Sequence, residues 1–275
     1  MKRYEKNIAI LKKLRNDYFK ILVFKSLRLP DAPKEKPIEP ESTDIMQRDT
    51  DMPKKLRGNS NGKLSESLSR SRSRVFEIAT CNNFEYFITL TINANKQSRS
   101  DLKIFYKRLS KWINNYNSRN NTTIKYLIIP ELHRDNNNWH FHGLIKGLPE
   151  EHLTAFTLHD NIPKRMEKLI RDGRELYNWT AYSDTFGFVS VEKIRNHDAA
   201  ARYITKYITK NIGNKIDLND NVYYCSQGLS RATEVFRGDL RQDFEPDYMN
   251  KYVSIKVLSN EAEAFSYFAD DNEPP

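Results

Sequence analysis

Residues 126–145 read Tyr-Leu-Ile-Ile-Pro-Glu-Leu-His-Arg-Asp-Asn-Asn-Asn-Trp-His-Phe-His-Gly-Leu-Ile and carry the densest chemistry in the chain. Alternate side chains of a strand share a face, so His140 and His142 converge, and Trp139, Phe141 and Leu144 are left to serve the other side. Glu131 and His133 share a face on the preceding segment. Folding a hairpin about the polar residues 134–138 brings that pair opposite the two histidines, within cross-strand reach. Two imidazoles and a carboxylate aimed at one volume suit a divalent ion that keeps positions open for water or a phosphate oxygen. His-x-His alone is equally compatible with surface histidines, and Glu131 at the matching position favours the metal. His133 stays open between a further ligand, a partner to a ligand and a DNA contact.

A second constellation lies at residues 201–210, Ala-Arg-Tyr-Ile-Thr-Lys-Tyr-Ile-Thr-Lys. On a helix, Tyr203, Lys206, Tyr207 and Lys210 form one stripe, and Ala200, Ile204, Ile208 and Ile212 form an apolar stripe that can dock on a sheet. A phenol with a reference pKa of about 10 is a poor nucleophile at neutral pH. Lysines one turn away favour the phenolate and neutralise charge building on an attacked phosphate. The same repeat also fits an amphipathic helix with packed rings and solvated ammonium groups.

The elements that must position these groups are readable from periodicity. Phe84 to Ile92 is aromatic and β-branched and predicts a buried strand. Asp101 to Tyr116 predicts a helix with Ser100 as its cap. Ile124 to His133 and Trp139 to Lys146 predict the two strands of the hairpin, and Gly187 to Ile194 another strand. His197 to Asn211 predicts the tyrosine-bearing helix, capped by Asn196 and closed by Gly213. Val222 to Cys225 and Tyr252 to Leu258 are weaker strand candidates. Strands alternating with helices and joined by hairpins indicate an α+β fold, with a central, mainly antiparallel sheet of about five strands flanked by helices.

Composition bounds the rest. The chain has 275 residues, 38% of them hydrophobic and 12% aromatic, enough to bury a sizeable core. A net charge of +9 attracts polyanions, nucleic acid among them. Cys81 and Cys225 lie far apart with no CxxC spacing, which argues against a disulfide framework or a thiolate zinc site and fits the cytoplasm. No apolar run is long enough to span a membrane. Residues 1–28 suggest a basic amphipathic helix, with Ile8, Leu11, Leu14, Phe19, Leu22 and Val23 among many Lys and Arg. Residues 29–75, rich in Pro and then in alternating Ser and Arg, suggest a disordered linker whose Ser/Arg run either touches phosphates or is solvated. Residues 76–245 form the organised domain in this reading. Residues 246–275 form a C-terminal segment with an acidic tail.

Taken together, three segments in about residues 80–240 resemble the HUH endonuclease superfamily, specifically the replication initiators of rolling-circle plasmids and single-stranded DNA phages. Phe87-Ile88-Thr89-Leu90-Thr91 looks like the first motif, a core strand. His140-Phe141-His142 looks like the motif that names the superfamily, with Glu131 in the place of the upstream acidic ligand. Tyr203 to Lys210 looks like the third motif in its two-tyrosine form. The resemblance implies an HUH plait related to RNA-recognition folds. It also implies magnesium or manganese held by His140, His142 and Glu131, and attack by Tyr203 or Tyr207 on origin DNA, with Tyr203 ranked first. The products would be a 5′ phosphotyrosine and a 3′ hydroxyl primer, in the cytoplasm of a bacterial host. Implied partners are single-stranded origin DNA at a hairpin or nick site, and a host helicase, polymerase and single-strand-binding protein. The chain has no Gly-x-x-x-x-Gly-Lys-[Ser/Thr] loop, so unwinding is expected from the host. A relaxase or transposase of the same superfamily is the nearest alternative, although relaxases usually place the tyrosine before the histidines. A non-catalytic DNA-binding regulator and an RNA-binding module are alternatives of other classes.

Overall fold

The computed structural model describes residues 4–5, 9–15, 18–24, 27–28, 60–132, 138–208, 221–249 and 253–268. The chain divides into two compact units, Asn59–Arg231, and Met1–Gly58 together with Ala232–Pro275. In the second of these, β1 (Tyr4–Glu5) pairs with β4 (Leu27–Arg28), and β2 (Ala9–Arg15) pairs antiparallel with β3 (Tyr18–Phe24). The basic helix expected over residues 1–28 is therefore a correction, because residues 9–15 and 18–24 are strands. Leu11 and Leu14 have helical spacing, but Tyr18–Phe24 is a run of aromatic and aliphatic residues that gains more as the middle of a sheet. Phe19, Ile21 and Leu22 are all buried there.

The unit Asn59–Arg231 begins with α1 (Ser60–Cys81). Residues 60–75 are thus helix where a linker is the compositional expectation, and the remainder of that expected linker, residues 29–59, lies outside the described residues. Arginine is a good helix former and serine an indifferent one, and Leu68, Val75, Ile78 and Ala79 give the helix a buried stripe. The chain continues through β5 (Tyr86–Thr91), α2 (Leu102–Asn120), β6 (Lys125–Leu132), β7 (Trp139–Lys146) and β8 (Thr154–Ala155). Then come α3 (Lys164–Arg171), β9 (Leu176–Asn178), α4 (Thr180–Thr185), β10 (Val189–Lys193), α5 (His197–Ile204) with a 3₁₀ turn at Thr205–Tyr207, and β11 (Tyr224–Cys225). The strands form one sheet in the order β11-β6-β7-β5-β10-β9-β8, with every pair antiparallel.

The α+β architecture and the antiparallel sheet are as expected, with seven strands rather than about five. Asp101, not Ser100, caps α2, accepting from the Ile104 amide at 2.9 Å. Asn196 caps α5 by accepting from the Ala199 amide at 2.9 Å. The helix expected to reach Asn211 ends at Ile204 and tightens into the 3₁₀ turn, and Asn211 to Gly213 lie outside the described residues.

Period two sorts the sheet into faces. Tyr86, Ile88, Leu90, Tyr126, Ile128, Phe141 and Ile145 bury against Phe105, Leu109 and Ile113 of α2 and against Tyr182 of α4. Leu127, Ile129 and Leu144 point the other way, toward Val75 and Ile78 of α1 and Ala201 and Ile204 of α5. Leu144 thus shares the side of His140 and His142, a correction to its expected placement. It obeys the two-residue alternation from His142. Trp139, at the strand's end, also packs into this second cluster, and Phe141 alone of the three goes to the other side.

The other unit is completed by β12 (Thr233–Gly238), β13 (Tyr248–Met249), β14 (Val253–Leu258) and α6 (Glu261–Ser266). They extend the first hairpin into a five-stranded sheet ordered β12-β2-β3-β14-β13, with Ala9, Leu11, Phe19, Ile21, Leu258, Ala264 and Phe268 as its core. The acidic tail lies outside the described residues. No described helix is long and apolar enough to cross a membrane.

Candidate active site

The site is built on three adjacent strands, β6, β7 and β5. β7 lies between β5 and β6, and the register sets Glu131 directly across from His140, Ile129 across from His142, Thr89 across from His142 and Thr91 across from His140. Glu131, His140 and His142 therefore project on one side of the sheet, the side that carries α1 and α5. The Nε2 atoms of both histidines lie 2.7 Å from the same Glu131 oxygen, Oε2. One donor atom from each residue falls within 4.8 Å of the others.

These contacts set the charge state. Hydrogen bonds from His140 and then His142 hold the Glu131 carboxyl down at about 2, against the burial that would raise it. Burial pushes the His142 imidazole below its ordinary value, keeping it neutral and able to act as a ligand at neutral pH. Thr89 Oγ1 lies 3.1 Å from His142 Nδ1. A neutral His142 that donates from Nε2 to Glu131 accepts from the Thr89 hydroxyl at Nδ1; the other tautomer, with Nδ1–H donated to Thr89, frees the Nε2 lone pair for a cation. Two imidazole nitrogens and a carboxylate oxygen fit a divalent ion with open positions, and no cysteine belongs to the cluster. His133 lies outside the described residues.

The tyrosines arrive from α5 and its 3₁₀ turn. Ala201, Ile204 and Ile208 are buried against the sheet and α1, which fixes the helix and turns the intervening phenols to the cluster. The Tyr207 ring stacks on His142, with centroids 4.0 Å apart and planes inclined by 16°. The Tyr207 hydroxyl donates to the Tyr203 hydroxyl at 3.1 Å, and Tyr203 stays 38% exposed. Burial, then the hydrogen bond to Tyr203, push the Tyr207 phenol well above its ordinary range. Lys206 Nζ sits 5.4 Å from the centre of the Tyr203 ring. Lys210 lies outside the described residues.

Three features of the site were not singled out from sequence. Phe87 packs edge-on to Tyr203 at 5.5 Å and lies 6.1 Å from His142, so β5 lines the site as well as the core. Thr89 could have been found from its alternation with Phe87 and Thr91. The charge of Arg165 on α3 bears on both His142 and Tyr207, and nothing in the local pattern flagged it. On the outer side, Arg72 Nε donates to the Ile208 carbonyl at 2.7 Å and ties α1 to the end of the tyrosine turn.

Residues 85–212, somewhat under half the chain and running from β5 past α5, match the model of a family of replication-associated proteins of the ORF2 type. No curated protein and no solved structure matches the chain. The matched segment contains every described member of the cluster and both tyrosines, and the similarity supports a role for this chain as a DNA replication initiator.

Proposed function

We propose that the chain is a rolling-circle replication initiator that nicks single-stranded origin DNA through a tyrosine. The observation that carries this reading is the stack of Tyr207 on His142, with the Tyr203 hydroxyl bonded to that of Tyr207, because it puts both nucleophile candidates beside the candidate ligands. His140, His142 and Glu131 would hold magnesium or manganese, which when bound polarises a scissile phosphate.

The remaining chemistry falls to the protein. Tyr203 is the better first nucleophile, since it is the more exposed phenol and accepts a hydrogen bond instead of donating one to Tyr207. Its oxygen forms a bond to phosphorus as the bond to the 3′ oxygen breaks. The proton lost from the phenol is balanced by the one gained at the 3′ hydroxyl. Lys206 supplies positive charge beside the ring, and Lys210 is the second lysine of the sequence motif. Tyr207, with its proton held by burial, is suited to the later rejoining step. A host helicase, polymerase and single-strand-binding protein would complete replication.

The test is incubation of the full chain with manganese and an end-labelled pool of single-stranded oligonucleotides, followed by denaturing electrophoresis. A labelled band at the mass of the protein, lost in the Tyr203→Phe/Tyr207→Phe double variant, is expected. Binding without any adduct would favour a non-catalytic DNA-binding regulator, and undiminished adduct in the double variant would remove the tyrosines from the chemistry.

A further inference from the structure

Away from the histidines and tyrosines, a cleft of about 470 Å³ opens at the β11 edge of the seven-stranded sheet, between α1, α2 and the segment leading into β11. One wall is a single face of α1, since Ser67, Arg70, Ser71 and Arg74 follow a three- and four-residue spacing. Tyr106 of α2 and Tyr223 line the cleft from the other elements, and no lining residue is acidic. A further guanidinium, that of Arg231, reaches Cys225 at this edge, 3.8 Å from its Sγ.

The opposite face of α1 is already committed. Leu68, Val75, Ile78 and Ala79 bury in the cluster that holds α5, and Arg72 holds the Ile208 carbonyl. Arg70 and Arg74 are turned to the cleft, and among the described residues neither has a carboxylate partner. Guanidinium groups and hydroxyls in a row suit successive phosphates, and the half-buried Tyr223 ring beside them suits an unpaired base, Tyr106 being already stacked on Tyr224 at 4.0 Å. A duplex would offer the phosphates but no free base face.

Position says what the occupant connects to. β11 pairs with Leu127 and Ile128 of β6, three to four residues from Glu131 on the same strand. At about 3.3 Å per residue that is roughly 10 to 13 Å. A short run of nucleotides spans it.

We propose that this cleft holds the single-stranded segment a few nucleotides to one side of the scissile phosphate. Arg70 and Arg74, with Ser67 and Ser71, take the backbone, and Tyr223 stacks a base. The assignment rests on the nickase reading above for the identity of the strand. Its binding is measurable without cleavage.

The experiment is fluorescence anisotropy of a labelled oligothymidylate with the full chain in EDTA, over a range of salt. Arg70→Ala/Arg74→Ala is expected to weaken binding at low salt by at least about tenfold and to reduce the slope of log affinity against log salt by about 1.4, two single-strand phosphate contacts. Arg70→Lys/Arg74→Lys retains most of the slope, which separates lost charge from misfolding. Tyr223→Leu keeps apolar bulk, weakens binding by about fivefold or more and leaves the slope unchanged. Wild-type affinity and slope in the double alanine variant, or tighter binding of a duplex of equal length, would overturn the cleft. If the cleft variants behave as expected in EDTA and no adduct ever forms with manganese, the nickase reading fails and the binding site stands.

Discussion

Gly143 separates His142 from Leu144 on the central strand and sits across from Ile128 on β6 and Ile88 on β5. A Cβ built there would lie 2.5 Å from the Ile128 Cγ2 and 2.7 Å from the Leu127 carbonyl oxygen. Ordinary carbon contacts begin at about 3.5 Å. Ile128 is fully buried and cannot swing into space, and the carbonyl belongs to the backbone. Gly143→Ala must therefore push β6 and β7 apart by more than about half an ångström, enough to strain hydrogen bonds near 2.9 Å. Overpacking of this kind costs about 1–3 kcal/mol. For a unit the size of Asn59–Arg231 that lowers Tm by roughly 2 to 12 °C. The same displacement moves Glu131, three residues from Ile128, relative to His140 and His142, so manganese affinity measured by titration calorimetry should fall with Tm. Ile88→Val, which trims one methyl group from the same layer, is expected to cost about 0.5–1.5 kcal/mol and leave manganese affinity unchanged. Gly143→Ala with wild-type melting, or with lowered melting and intact manganese affinity, would refute the claim that ladder spacing sets the ligand geometry.

Further outcomes follow from the same contacts. Thr89→Val removes the oxygen 3.1 Å from His142 Nδ1 and should weaken manganese binding by about ten- to a hundredfold with little change in Tm. Ile204→Ala empties a fully buried position beneath the tyrosines and should destabilise by about 2–5 kcal/mol, read in chemical denaturation. In the metal-free protein, Glu131 has its folded value depressed to about 2 from 4.5, so its stabilisation is complete above 4.5 and is lost as pH falls toward 2. His142 is also depressed, so the unfolded chain takes up its proton first and stability erodes as pH drops below about 6.5. Melting temperatures should fall on acidification, and the gap between wild type and Glu131→Gln should close between pH 4.5 and 2; a gap independent of pH would remove the hydrogen-bonded carboxylate from the account.

The hairpin was legible because two signals agreed: alternation in Trp139–Lys146 and a polar break between two apolar runs. Folding about residues 134–138 placed the Glu131 and His133 face opposite the two histidines, and the structure adds the register, with Glu131 directly across from His140. The tyrosine helix was legible through Asn196 and the Ile204/Ile208 spacing, but its tightening after Ile204 was not, since a 3₁₀ turn shares the early helical pattern. What failed did so where composition outweighed periodicity. Ser69 to Arg74 reads as a solvated run until Leu68 and Val75, seven residues apart, are seen to share a face. At residues 9–24, lysines interleaved with aliphatics imitate an amphipathic helix, whereas the long-range pairing with β12 and β14 that makes them strands has no local signature. Arg165 illustrates the same limit at the site, since its relevance depends on where α3 comes to rest.

The measurement that bears most directly on the shared site is the NMR spectrum of the full chain labelled with ¹³C in its tyrosine rings, titrated with manganese, with resonances assigned by Tyr203→Phe and Tyr207→Phe. A paramagnetic ion held by Glu131, His140 and His142 should broaden the Tyr207 signal beyond detection, because that ring lies against His142, and should strongly broaden Tyr203, its hydrogen-bond partner. Both effects should vanish in Glu131→Ala. Sharp Tyr203 and Tyr207 signals at saturating manganese, or broadening that persists without Glu131, would contradict a common site for cation and phenols.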